Sequence, residues 1–433
     1  TNAVETDRAE ALDLINTGLL LRLAVFGIMP AVLLWNTPIR AAGWRRELAS
    51  RAKLLGLAIA AMLAATLPLS AHYSTFIREY KPVRYFANPL FPLASAIGFL
   101  SGKDAGSRVG PAAVIGAEAH VPSFSPHREL MILVVGETAR ADHFSLYGYR
   151  RDTNPELAKI KDLVVYRDVR SCGTSTAVSV PCMFSQSNRA DFKQDNARHT
   201  ENALDVLKHA GVSIYWLDNN SSSKGVADRV SYTDYKLPEN NPVCDIECRD
   251  VGMLPGLQKL IDGSKGDILI VLHQMGSHGP AYSKRYPAEF ERFKPTCRNS
   301  RLSDCGTDEI VNAYDNTILY TDWFLSKVID VLKHNESAFE TMMLYVSDHG
   351  ESLGENGIYL HGAPYLFAPD AQTRIPLLVW QGAFNDVDEA SLAAEAARPQ
   401  SHDALFQTLL NFYEIEDAMV KTDEGLFKVN REQ

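Results

Sequence analysis

The stretch Ser171-Cys172-Gly173-Thr174-Ser175-Thr176-Ala177-Val178-Ser179-Val180-Pro181-Cys182 sets hydroxyls and a glycine between two cysteines and runs into an apolar step. Small residues of this kind suit a turn that opens a helix. There Ser and Thr cap free N–H groups, and the positive helix end favours anions. A hydroxyl held at such a turn can attack a phosphorus atom once a metal ion stabilises its alkoxide. By composition Thr174, Ser175 and Thr176 are equivalent candidates. Taken alone, the stretch reads first as a hydroxyl-rich surface loop stapled by a disulfide.

Acids and imidazoles elsewhere change that reading. Gly136-Glu137-Thr138-Ala139-Arg140 follows one short apolar run, and His273-Gln274-Met275-Gly276-Ser277-His278-Gly279-Pro280 follows another. Ser347-Asp348-His349-Gly350-Glu351 follows a third, and Leu360-His361-Gly362 comes soon after. Each has an ordinary alternative. Glu137 can be a first-turn acid, Asp348-His349 a turn, and His278 and His361 loop histidines. His273 reads as a satisfied core residue and is left outside the site. Together, oxygen and imidazole donors scattered in sequence, each after its own strand, have the character of an assembled zinc site. Glu137, Asp348 and His349 would leave a position open for Thr176. His278 and His361 would hold phosphate oxygens, protonate a leaving group or bind a second metal. Lys224, in Asn219-Asn220-Ser221-Ser222-Ser223-Lys224-Gly225, is either a further phosphate contact or a solvated lysine.

The elements that must position these groups are short buried strands alternating with helices. Apolar runs at 130–135, 163–169, 212–217, 268–272, 342–346 and 376–380 read as strands, and 201–210, 253–261 and 308–332 as helices. This alternation predicts an α/β domain with a mostly parallel sheet, whose chemistry gathers outside the carboxyl ends of the strands. There is no internal repeat.

The 433 residues are 46% hydrophobic, enough for a large core, and the net charge of −10 argues against a nucleic-acid partner. Six cysteines at 172, 182, 244, 248, 297 and 305 form three near-neighbour pairs, without CxxC or zinc-finger spacing. They predict the disulfides 172–182, 244–248 and 297–305 in an oxidising compartment. Residues 18–36 and 54–71 are each about long enough to span a bilayer, a buried core helix being the alternative. Between them Arg40, Arg45, Arg46, Arg51 and Lys53 face one acid, Glu47, which puts the connector in the cytoplasm and both outer ends outside. Aromatic and basic residues in 72–85 read as an interfacial helix, and 101–126, rich in Gly, Ala, Ser and Pro, as a linker. The expected organisation is a partial membrane anchor at 1–71, an interfacial helix and linker at 72–126 and a catalytic domain at 127–433. The first residue is not Met and no signal peptide is visible, so the chain is expected to lack its true N-terminus.

In sum, Val135-Gly136-Glu137-Thr138-Ala139-Arg140, Ser171-Cys172-Gly173-Thr174-Ser175-Thr176, Gly276-Ser277-His278-Gly279-Pro280 and Ser347-Asp348-His349-Gly350-Glu351, in that order, resemble the lipid A phosphoethanolamine transferases, the family that includes the mobile colistin-resistance enzymes. The resemblance covers nearly the whole chain. It implies an alkaline-phosphatase/sulfatase-like periplasmic domain on a five-helix anchor in the bacterial inner membrane, with three of those helices missing here. It implies phosphatidylethanolamine as donor, lipid A as acceptor and a monomer holding one tight zinc ion, a second being admitted. Glu137, Thr176, Asp348 and His349 would be the zinc ligands, with Thr176 the nucleophile. Lys224, His278 and His361 would handle the phosphate, with Asn220 and Ser221 beside them, and Asn2, Thr6 and Glu10 would hold the donor lipid from one helical face. Cys244–Cys248 is closer in sequence than the family leads one to expect. The rival readings are transfer to a core sugar, a glycan or a protein, and a non-catalytic lipid sensor. A sulfatase is disfavoured, because neither Cys172 nor Cys182 opens the C/S-x-P-x-R pattern.

Overall fold

The computed structural model describes residues 17–37, 43–66, 93, 96–97, 112–122, 127–383 and 385–430. The chain divides into two units, one over residues 15–107 and one over 108–433. In the first, helix α1 (Thr17–Asn36) is among the described residues the one helix long and apolar enough to cross a membrane. Its 20 residues rise about 30 Å, the thickness of a hydrocarbon core. Helix α2 (Trp44–Thr66) opens on the basic connector, where Arg51 pairs with Glu47 at 2.9 Å, and turns apolar from Leu54. The rest of the expected second span, 67–71, lies outside the described residues. So do the expected interfacial helix in 72–85 and the proposed donor contacts Asn2, Thr6 and Glu10.

The second unit is a mostly parallel sheet between helical layers, as the strand–helix alternation predicts. Its strands are β1 (Glu129–Gly136), β2 (Leu163–Val165), β3 (Asp168–Arg170), β4 (Ser213–Asp218), β5 (Ser231–Asp234), β6 (Ile268–His273), β7 (Glu340–Ser347), β8 (Ser352–Leu353), β9 (Tyr359–Leu360), β10 (Arg374–Ile375), β11 (Leu377–Gln381) and β12 (Pro399–Ser401). The main sheet runs β2-β11-β7-β1-β6-β4-β5. Strands β7, β1, β6, β4 and β5 are mutually parallel, while β11 is antiparallel to both of its neighbours.

Strand β1 is buried along its whole length, as its unbroken apolar sequence requires of a central parallel strand. Its side chains still alternate. Met131, Leu133 and Val135 join a core with α4 (Ala203–His209) and α8 (Leu405–Phe412). Leu130, Ile132 and Val134 join a second core against the long helix α6 (Thr307–Asn335). Asn202 and Asp205 form a capping box that starts α4. Helices α3 (Thr176–Met183), α5 (Leu257–Gly263) and α7 (Glu389–Ala396) complete the main helical set.

One strand expectation is corrected, and one strand went unread. The run 163–169 is two strands, because the chain leaves the main sheet at Tyr166, which is fully buried with its hydroxyl donating to the Leu426 carbonyl. The following β3 then pairs with β10 and β12 in a separate small sheet. Strand β5 carried no apolar signal, since it is a polar edge strand whose first two residues are exposed. Residues 112–122, read as linker, are hydrogen-bonded to this unit: the Ala113 N–H donates to the His199 carbonyl at 2.7 Å, and the Glu416 N–H to that of His120 at 2.9 Å. All six cysteines are bridged as paired by their spacing: Cys172–Cys182, Cys244–Cys248 and Cys297–Cys305.

Candidate active site

Neighbouring strands β1 and β7 place the first two acids. Gly136 and Ser347 are register partners, so Glu137 and Asp348 emerge side by side from the carboxyl ends of two parallel strands. The turn after β1 is bolted to what lies around it. The Ala139 N–H donates to Ser347 Oγ at 2.8 Å, and Tyr314 of α6 donates to the Thr138 carbonyl at 2.7 Å. Thr138 takes a left-handed conformation, φ 52°, at this bend. Gly276, after β6, passes so close that a Cβ would lie 2.9 Å from the Glu137 carbonyl oxygen. A side chain there would push Glu137 out of place.

Helix α3 brings the hydroxyl. Thr176 is its first residue and Ser175 its N-cap. Thr176 Oγ1 lies 3.1 Å from Glu137 Oε2 and 3.4 Å from His349 Nε2. The three candidate hydroxyls are therefore no longer equivalent. Thr174 instead donates to the Ala363 carbonyl at 2.6 Å, and Ser175 has no side-chain cap bond.

Four predicted residues converge here. His349 Nε2 lies 3.5 Å from Glu137 Oε1 and 3.3 Å from Asp348 Oδ2. His349 Nδ1 donates to the Gly350 carbonyl at 2.9 Å, so Nε2 carries a lone pair aimed at two carboxylates. Asp348 Oδ1 accepts from the Thr138 and His349 N–H groups, at 3.2 and 2.7 Å. The other oxygens, Glu137 Oε1 and Asp348 Oδ2, are buried with no hydrogen-bond donor. Two orphaned carboxylate oxygens, an imidazole lone pair and a hydroxyl in a closed space form a donor set that fits a divalent metal of zinc's preferences. Among the described residues, ligand atoms of Glu137, Asp348 and His349 all lie within 4.8 Å of one another.

Electrostatics say the same. Burial, reinforced by the Asp348 charge, raises Glu137 well above the carboxylate range. Burial pushes Asp348 up to about 6 against the pull of the Thr138 and His349 N–H groups. Burial and the nearby His361 hold His349 below the ordinary imidazole value. A cation at the centre would reverse both carboxylate shifts.

The remaining predicted residues form the surround. The His361 ring is centred 4.5 Å from that of His349 and 5.5 Å from that of His278. His361 Nδ1 meets Glu351 Oε2 at 2.8 Å, while Tyr282 donates to Glu351 Oε1 at 2.7 Å. Burial disfavours the charged His361, but Glu351, together with Glu137 and Asp348, outweighs it and lifts the group to about 9. Burial and His361 lower His278, and Lys224 adds to that. Lys224, at φ 54°, donates to Ser221 Oγ at 2.7 Å and lies on the wall of a cavity of about 820 Å³. Asn220 is turned inward, its amide donating to Glu137 Oε2 at 2.7 Å and to the Gln274 carbonyl at 2.8 Å. It orients the acid. His273 meets Asp218 at 3.0 Å in the core, outside the cluster.

Two supports were not singled out from sequence. Glu351 stood in a motif already of interest, two residues after His349, and its acid character was the available signal. His402 had none. It receives the Cys172 N–H at Nδ1 at 3.0 Å and so donates from Nε2 to the Ser347 carbonyl at 3.0 Å. It joins the hydroxyl loop to the Asp348-His349 loop.

Comparison with known proteins gives consistent matches. A family model described as Sulfatase matches residues 129–415, and one described as phosphoethanolamine transferase EptA/EptB matches 1–103. The chain is 43% identical over 432 residues to phosphatidylethanolamine transferase Mcr-2 of Escherichia coli, covering 97% of this chain and 79% of that protein. It is 39% identical over 422 residues to phosphoethanolamine transferase EptA of Salmonella typhimurium, covering 94% and 76%. Among solved structures, the integral membrane protein lipooligosaccharide phosphoethanolamine transferase A of Neisseria meningitidis superposes with a TM-score of 0.88 at 35% identity, over 98% of this chain and 81% of that one.

Proposed function

This chain belongs to the phosphoethanolamine transferases, and we propose that it moves phosphoethanolamine from phosphatidylethanolamine to a phosphate of lipid A through a covalent intermediate on Thr176. The observation that carries the proposal is the contact of Thr176 Oγ1 with Glu137 and His349 at the start of a helix. Glu137, Thr176, Asp348 and His349 would hold zinc. Zinc bound there would stabilise the threonine alkoxide and draw charge from the phosphoryl oxygens.

Thr176 Oγ1 gives its proton to the Glu137 carboxylate it touches and attacks phosphorus, the bond to the diacylglycerol oxygen breaks, and that oxygen takes a proton from His361, the imidazole that Glu351 holds charged. An oxygen of the acceptor phosphate then attacks the same phosphorus. The bond to Thr176 breaks, and Glu137 returns the proton that restores its hydroxyl. The helix N-terminus favours the anionic phosphoryl group throughout, and Lys224 supplies a further positive contact. Asn220 and Ser221 act through Glu137 and Lys224, the groups they touch. The added amine lowers the negative charge of the outer surface, so cationic polymyxins bind less. The enzyme works as a monomer in the inner membrane with its catalytic domain in the periplasm, where disulfides persist.

The test is intact mass after incubation with phosphatidylethanolamine. Wild type gains one phosphoethanolamine and Thr176→Ala gains none. No gain by wild type, or equal gain by the variant, refutes the mechanism. Mass spectrometry of lipid A against core oligosaccharide decides the acceptor.

A further inference from the structure

Two exposed apolar tips are each tied to a different side of the site. Leu366, 67% exposed, tops the turn Tyr365–Phe367 just after His361. That turn is fixed to the hydroxyl loop: Tyr365 donates to the Ser171 carbonyl at 2.8 Å, and the Gly362 N–H to that of Thr174 at 2.7 Å. Ile246, 70% exposed, is the central residue of the Cys244–Cys248 loop. Its neighbour Glu247 pairs with Arg285, whose Nε donates to the His278 carbonyl at 2.6 Å. Since the His278 and His361 rings are 5.5 Å apart, the two tips are anchored to adjoining groups of the site and make up its exposed apolar rim. Ile358, three residues before His361, is also exposed.

We infer that this rim is a membrane-docking surface, and that Ile246 and Leu366 enter the bilayer face from which the lipid donor is taken. The inference rests on the proposed lipid substrate. A phosphodiester headgroup lies only a few ångströms above the acyl region, so a site that reacts with it in place must press its own rim into the interface. The chain carries an apolar helix of membrane-spanning length, which keeps a bilayer within reach. A disulfide and a buried arginine hold the Ile246 loop, and hydrogen bonds hold the Leu366 turn. Both tips are therefore rigid, and meeting lipid orders no additional chain.

The experiment uses the full chain in phosphatidylethanolamine/phosphatidylglycerol vesicles, with a spin label at Ile246→Cys or Leu366→Cys and a control at exposed Lys421→Cys. The expected result is that oxygen reaches labels 246 and 366 better than a water-soluble nickel chelate does, with the reverse at 421. Equal chelate access at all three sites overturns the inference. So does exclusion of both quenchers, which means that protein covers the rim, either another segment of this chain or a second copy. In a second arm, Ile246→Glu/Leu366→Glu is expected to lower kcat/KM for vesicle-borne donor at least tenfold. Turnover of a short-chain monomeric donor is expected to stay unchanged, and equal loss on both donors overturns docking. If wild type turns over neither donor, the proposed reaction fails, and the labelling arm still decides where the rim lies.

Discussion

Glu137 Oε1 and Asp348 Oδ2 are both buried without a hydrogen-bond donor, although their carboxylates stand side by side at the ends of adjacent parallel strands. Two like charges so placed are unfavourable unless a cation lies between them. Metal removal is therefore expected to destabilise the catalytic unit as well as stop turnover. Thermal unfolding after dialysis against a chelator should show a lower Tm, restored by one equivalent of zinc. An unchanged Tm would mean that the cluster binds no metal.

The same pair predicts opposite pH responses with and without metal. In the metal-free protein Asp348 is raised from 3.8 to about 6. Its contribution is then fully present below 3.8 and lost as pH rises through 6, so metal-free protein becomes less stable from pH 5 to 8. Zinc binding must displace that proton, and the one that burial also holds on Glu137, so affinity should fall as pH drops from 8 to 5. Calorimetric titration from pH 5 to 8 measures this, and a pH-independent affinity would contradict it.

Asn220 touches a proposed zinc ligand, Glu137, to which it donates at 2.7 Å. Asn220→Ala is expected to weaken zinc binding about 10–100-fold, the usual effect of losing such a support. At saturating zinc the Thr176 adduct should still form. An adduct lost even at saturating zinc would make Asn220 a direct phosphate contact instead.

Thr174→Ala, Ser175→Ala and Thr176→Ala separate the three hydroxyls. Thr174→Ala removes a bond to the Ala363 carbonyl and should cost about 1 kcal/mol of stability while the adduct survives. Ser175→Ala should lower the rate modestly, and Thr176→Ala should abolish the adduct. Adduct formation by Thr176→Ala would move the nucleophile elsewhere.

Much of this was legible in sequence because buried strands and the residues after them announce themselves. The runs before Glu137, His273 and Asp348 are continuous apolar segments, and chemistry at their carboxyl ends follows from parallel packing. The choice among three adjacent hydroxyls was not legible by composition, since it depends on which one the first turn of α3 aims at Glu137. Asn220 was named as a substrate contact by resemblance alone, and its hydrogen bond to Glu137 is not visible in sequence, which shows position but not direction. Tyr166 broke a seven-residue run into strands of two sheets, and the reason is a distant partner, the Leu426 carbonyl. His402 lay beyond sequence reading, because its role consists of contacts to loops about 55 and 230 residues away.

His402 gives the prediction least dependent on metal. Burial pushes it down from 6.5 to about 4, against the bond to the Ser347 carbonyl. The neutral ring is the form the two loops require, since Nδ1 must accept from Cys172 while Nε2 donates to Ser347. Its contribution is therefore present above pH 6.5 and lost as pH falls through 4, at most about 3 kcal/mol. His402→Ala would leave the Cys172 N–H and the Ser347 carbonyl unpaired, a cost of about 2–4 kcal/mol. Urea unfolding at pH 7.5 and 5, in wild type and variant, should show a smaller pH dependence in the variant. An equal pH dependence in both would show that His402 is not the group that titrates.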